Sequence, residues 1–192
     1  MEKAPKTPPK PRKATAKYLE NKALHYLARF ASSRANLHRV LMRAVLRSAR
    51  LHGTDAEEGA RHVDALLDRF VRSGLIDDAV YAAGRASSLR ERGLAGRTIQ
   101  LHLRQKGVAA DIAEAALGDV DSRATGNAEL AAAAAYARRR HLGPFRPAAQ
   151  QAIHRDRDLA AMARAGFGYA LARTVVEANS PESLDAMVAD DG

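Results

Sequence analysis

Apolar positions recur along this chain at the spacing of one helix face, and glycines mark where the spacing stops. From Tyr18, the residues Leu19, Ala23, Tyr26, Leu27 and Phe30 share one face. Ser32 or Ser33 then offers a hydroxyl to cap a second helix, with Leu37, Val40, Leu41, Ala44 and Val45 inward and Gly53 beyond its end. Thr54 and Glu57 have the spacing of a capping box, in which each side chain accepts from the other residue's amide. The helix they open carries Val63, Leu66, Leu67, Phe70 and Val71 on one side and stops at Gly74, where a left-handed residue closes a helix without steric cost.

Asp77 or Asp78 caps the next helix, with Val80, Tyr81, Gly84 and Leu89 facing one way and Gly93 at its end. A short helix with Ile99 and Leu103 follows and stops at Gly107; another, with Ile112, Ala113, Ala116 and Leu117, stops at Gly118. An alanine-rich helix is predicted from about Ser122 to His141, where Gly143-Pro144 breaks it. After an irregular stretch, Leu159, Met162 and Ala163 lead to Gly166, and Ala170, Leu171, Val175 and Val176 form a last helix. From Ser180 the chain is acidic and expected to fray.

Two stretches repeat each other. Leu103 to Val108, with Ile112 and Leu117, matches Met162 to Phe167, with Leu171 and Val176. Each has an apolar residue four before a glycine, one just after it, and two more at helical spacing. The first part of the chain shares this plan over a greater length. The expected fold is therefore all-α, an elongated tandem array of three three-helix units: 18–76, 77–120 and 121–178. A disordered basic tail at 1–17, with four prolines and six lysine or arginine residues, precedes them, and an acidic tail at 179–192 follows.

Composition agrees with small cores. Hydrophobic residues reach 46%, but Leu, Ile, Val and Phe together number only 38 of 192, too few for one large core. Strand formers are scarce and tryptophan is absent. The absence of cysteine excludes disulfides, thiolate catalysis and cysteine zinc sites. Charged or polar groups interrupt every long apolar run, and the basic N-terminus has no apolar segment behind it, so a cytoplasmic protein is expected.

The net charge of +9 points to an anionic partner, with nucleic acid first. Charge also follows the helical beat. Residues 18–52 carry seven bases and one acid, 53–82 three and seven; 83–107 carry six and one, 108–129 one and five; 130–175 carry eight and two, 176–192 none and five. Each unit opens positive and closes negative. The basic clusters are Arg39, Arg43 and Arg47; Arg85, Arg90, Arg92, Arg97, Arg104 and Lys106; and Arg138, Arg139 and Arg140. These are the candidate contacts to a partner. Arg39, Arg43 and Arg47 recur every four residues and so form one stripe. Tyr26, Phe30, Phe70 and Phe167 sit at core-like positions, leaving little to stack on bases, so sequence-specific reading is not expected.

Catalytic constellations are missing. His25, His38, His52, His62, His102, His141 and His154 form no metal-binding pair, and Asp77-Asp78 sits where a helix must start. The glycines are spaced as helix stops and make no nucleotide loop. Neither a cofactor nor an active site is expected.

The stretch Ser73-Gly74-Leu75-Ile76-Asp77-Asp78-Ala79-Val80-Tyr81-Ala82 resembles the linker between the first two units of the bacterial RecX regulatory family, and Arg85 to Gly93 and Ile99 to Val108 continue the resemblance beyond it. In the third unit only Ala165-Gly166-Phe167 and the following helix are similar. The resemblance implies a small monomeric regulator that binds the RecA filament and its single-stranded DNA. It would restrain strand exchange and ATP hydrolysis in DNA repair, recombination and the SOS response. No catalytic motif comes with it. Non-specific contact with double-stranded DNA is compatible with the same arginines. The competing reading is a helix-turn-helix DNA-binding protein, for which Gln100, Arg104 and Gln105 would face base edges.

Overall fold

A computed structural model describes residues 12–124 and 126–190. Over these residues the chain is all-α, with ten α-helices, one short 3-10 turn and no strand. They group into two compact units, Met1–Asp77 and Asp78–Gly192. The basic leader falls at 1–11 outside the described residues, but its last part does not behave as a tail. The Ala14 amide donates to Ser48 Oγ at 2.9 Å, and Thr15 caps a helix that starts at Ala16.

In the first unit, α1 (Ala16–Leu27), α2 (Arg34–His52) and α3 (Ala56–Arg72) surround one core. Leu19, Ala23, Leu37, Leu41, Val63 and Leu67 are fully buried there, and Phe70 and Ile76 close its edge. Ser33 is the cap of α2, accepting from the Asn36 amide at 3.1 Å. The expected capping box is shifted by one residue. Asp55, not Thr54, caps α3 by accepting from the Glu57 amide, because Thr54 Oγ1 donates to Ser48 instead. Phe30 and Val71, inward by helical spacing, are exposed. Phe30 lies past the end of α1, so helical spacing no longer applies to it, and Val71 falls beyond the buried arc of α3.

In the second unit, α4 (Asp78–Glu91), α5 (Gly96–Gln105) and α6 (Ala110–Asp121) enclose Ala82, Ala86, Leu89, Ile99, Leu103, Val108 and Leu117. The phase of α4 differs from expectation: Val80 is 70% exposed and Gly84 is exposed, while the two small alanines face inward. Gly118 does not stop α6, which runs on to Asp121. A further core gathers α7 (Ala128–Arg140), α8 (Ala148–Arg164), α9 (Tyr169–Val176) and α10 (Pro181–Asp190) around Ala133, Ala137, Met162, Phe167 and Val175. Here α7 starts six residues later than predicted, at the Asn127 cap, which accepts from the Leu130 amide at 2.9 Å. The expected irregular stretch is mostly α8. The segment after Ser180 is not frayed: α10 buries Leu184 completely in this core.

The repeated glycine pattern has a common geometry. The Val108 amide donates to the Leu103 carbonyl at 3.1 Å and the Phe167 amide to the Met162 carbonyl at 3.2 Å. Gly107 (φ +83°) and Gly166 (φ +99°) make the left-handed turn between them. Each closure folds an apolar residue back over its helix end, which is why Val108 and Phe167 are buried. His141 (φ 52°) takes the same role at the end of α7, without glycine's freedom.

Candidate functional site

On α2, the residues Leu37, Leu41, Val45 and Ser48 are buried, which turns Arg39, Arg43 and Arg47 outward as an exposed stripe. Arg43 and Arg47 line a shallow groove of about 340 Å³ together with Arg12, Lys22 and the Tyr18 ring. Among the described residues, no carboxylate lines this groove. Cations four residues apart repel one another, so the stripe is an internal cost that an anion would relieve.

The middle cluster divides. Arg90 is not a surface contact but an internal brace, with its side chain only 10% exposed. It meets both oxygens of Asp121 at 2.8 and 2.6 Å, Glu129 Oε2 at 2.6 Å and the Leu94 carbonyl at 3.0 Å. Burial opposes its charge, but the hydrogen bonds and fields of Asp121 and Glu129 outweigh this and hold the guanidinium protonated. Glu129 also accepts from the Gly96 amide, so a carboxylate from α7 caps α5, whose own N-cap residue, Ala95, has no side-chain oxygen to offer. Arg85 donates to His102 Nε2 at 3.1 Å. Partial burial, then the charges of Arg85, Lys106 and Arg92, push the His102 pKa down, so these three cations gather round a neutral imidazole. Arg92, Arg97 and Arg104 are exposed.

In the third cluster, Arg138 is paired with Asp185 of α10 at 2.7 Å and lies over the Phe145 ring. Arg139 and Arg140 line a cleft of about 600 Å³ between the α4–α5 region and α8. The opposite wall carries Arg157, Asp158, Ala161, Arg164 and Ala165, one face of α8. Asp158 is almost fully buried, accepting from Arg146 at 2.7 and 2.8 Å and from the Gly143 amide at 2.9 Å. Burial alone would raise its pKa, yet those hydrogen bonds hold it below the ordinary carboxylate range. Sequence reasoning missed Arg157 and Arg164, although their seven-residue spacing puts them on one helix face. It also missed Arg12 and Lys22, which only tertiary folding brings to α2.

Among the described residues there is no cluster of three or more His, Asp or Glu placed to hold a metal ion. His38 Nε2 does lie 3.5 Å from Asp64, a side-chain pair between α2 and α3 that spacing in the sequence did not suggest. No helix among the described residues is long and apolar enough to cross a membrane.

Residues 77–117, the segment holding α4, α5 and most of α6, match the family model described as "RecX, second three-helix domain". The chain is 43% identical over 174 residues to "Regulatory protein RecX" of Myxococcus xanthus, covering 90% of this chain and 91% of that protein. It belongs to the RecX family. A second RecX, from Thermobifida fusca, is 36% identical over 80% of this chain and 83% of its own length. The crystal structure of RecX from Lactobacillus salivarius shares the fold, with a TM-score of 0.59 at 19% identity over 89% of this chain and 97% of that one. Another RecX crystal structure matches with a TM-score of 0.58 at 18% identity, covering 85% of this chain and 72% of the other.

Proposed function

We propose that this chain is a cytoplasmic, non-catalytic regulator that binds the RecA filament on single-stranded DNA and lowers its ATP turnover and strand exchange. The observation that carries this reading is the 43% identity, over nine-tenths of both chains, to a protein named for regulation. The arginine surfaces add a physical means. Arg43 and Arg47 on α2, Arg92, Arg97 and Arg104 in the middle group, and Arg139 and Arg140 at the end of α7 have no internal carboxylate partner among the described residues. Such cations lower their energy by meeting an anion, either filament DNA or acidic protein surface, and they do so without reading bases. The protein would act as a monomer, since each core closes within the chain.

The test is a titration of this protein into RecA pre-assembled on single-stranded DNA, following ATP hydrolysis and strand exchange. Both rates fall with added protein under this reading. Unchanged rates at a several-fold excess over RecA would overturn it.

A further inference from the structure

The cleft between the α4–α5 region and α8 holds five arginines and a single carboxylate, and that carboxylate is already taken. Asp158 is bound on both oxygens by Arg146. Arg139, Arg140, Arg157 and Arg164 converge on the remaining space with no ion pair or side-chain hydrogen bond among the described residues. Elsewhere in the same unit arginines find carboxylates: Arg90 with Asp121 and Glu129, Arg138 with Asp185, Arg155 and Arg173 with Glu177. Four of the unit's unpaired arginines are thus collected in one concavity, while Arg92, Arg97 and Arg104 stand exposed outside it, and shared low-dielectric walls strengthen the joint field of the four.

The walls of the cleft are fixed. Thr98 Oγ1 of α5 donates to the Ala165 carbonyl at the end of α8 at 2.8 Å. At Gly166 beside it, an added Cβ would collide with Thr98. Across the cleft the Arg139 guanidinium packs against Gly93, where a Cβ would stand 3.1 Å from Nη1. Arg139 is therefore positioned by packing, with its charge left over.

We propose that this cleft seats the phosphodiester backbone of single-stranded DNA, with Arg139, Arg157 and Arg164 contacting phosphates. Arg157 and Arg164 are seven residues apart on α8, about 10 Å along its axis. That separation suits successive phosphates of a strand better than one isolated phosphate group. Leu94, Ala95, Leu142 and the Tyr136 ring supply an apolar side to the same cleft, against which sugar and base edges can lie. The inference deepens the DNA-contacting part of the proposed function and rests on it only to that extent.

The experiment measures binding of the full chain to fluorescein-labelled oligo-dT across a salt series. Wild-type protein is compared with the triple variant Arg139→Gln, Arg157→Gln, Arg164→Gln, and with Arg155→Gln, which lies on α8 but outside the cleft. The triple variant should bind at least about tenfold more weakly at low salt. Its log–log salt slope should drop by about two, at roughly 0.7 for each phosphate no longer neutralised. Arg155→Gln should leave both unchanged. Phenylglyoxal modification mapped by mass spectrometry tests the wild-type protein without any substitution: oligo-dT should protect Arg157 and Arg164. An unchanged slope in a triple variant that melts like wild type, or absence of protection, overturns the proposal. So does ATP displacing oligo-dT at equal phosphate concentration, which assigns the cleft to a free nucleotide. Protection and a reduced slope alongside unaffected RecA turnover would uphold the cleft while overturning the RecA reading.

Discussion

Replacing Arg90 separates a structural arginine from a binding one. Its guanidinium makes four hydrogen bonds, three of them to Asp121 and Glu129, and its side chain is 10% exposed. Removing one partner of a fully buried pair costs about 3–5 kcal/mol, because the other charge is left without compensation. Here the two carboxylates are 32% and 35% exposed and can take up water, which discounts the loss. Glu129 also keeps its bond from the Gly96 amide. Arg90→Ala should therefore destabilise the Asp78–Gly192 unit by about 2–4 kcal/mol. With no tryptophan in the chain, urea unfolding is followed by circular dichroism at the helical band. Combining Arg90→Ala with Asp121→Ala in a double-mutant cycle should return a coupling of about 1–3 kcal/mol. The salt dependence of oligo-dT binding, measured under conditions where the variant is folded, should match wild type. A stability loss under about 0.5 kcal/mol, accompanied by a flatter salt slope, would refute the bracing argument and return Arg90 to the contact surface.

Two further outcomes follow from the cores of the second unit. Leu103 is fully buried beside Ile99 and Leu117, so Leu103→Ala should cost about 2–5 kcal/mol in the same urea titration, and an unmoved midpoint would contradict the helical phase of α5. Asp158 has its folded pKa depressed, so its contribution is present above the unfolded value of about 3.9 and is lost as pH falls through the lower folded value. Asp158→Asn should therefore be about 2–4 kcal/mol less stable than wild type at about pH 6, and that gap should narrow in acid below about pH 4; a gap independent of pH would show that the carboxylate charge contributes nothing.

What could be read in the sequence depended on how each helix obtains its burial. The ends of α5 and α8 are plain because Leu103 and Val108, and Met162 and Phe167, flank a glycine at a fixed offset, and the closure that this offset encodes is local. Helix α4 was placed but wrongly rotated. Its buried face is Ala82, Ala86 and Leu89, of which periodicity picks out only Leu89, because it gives more weight to the larger Val80, which is exposed. Only the end of α8, with Leu159 and Met162, is legible; the part before it is not, because its inward residue is Asp158 and its Ile153 is 77% exposed. Only the partnership of Asp158 with Arg146 and the Gly143 amide makes that face an inner one, and this pairing is tertiary. Helix α10 hangs on Leu184 and an ion pair to Arg138, too little for any periodic signal.

The alternation of basic and acidic segments was legible, but its meaning changes once partners are known. Arg34 and Asp68 pair between α2 and α3, Arg90 and Asp121 between α4 and α6, Arg138 and Asp185 between α7 and α10, and Arg155 and Glu177 between α8 and α9. In each of the three cores an arginine from the earlier, basic segment meets a carboxylate from the later, acidic one. Much of the alternation is thus a device by which each helical group closes on itself, and counting bases in sequence overstates the surface offered to a partner. Matching positions do not share a role either: Arg90 and Arg138 are paired inside the fold, whereas Arg43 and Arg139 face grooves without a carboxylate partner. The arginines that remain after internal pairing are the physically distinct set. They include Arg43 and Arg47 on α2, Arg92, Arg97 and Arg104 around α5, and the group in the cleft beside α8, and it is this excess, not the alternation, that a test of anion binding has to address.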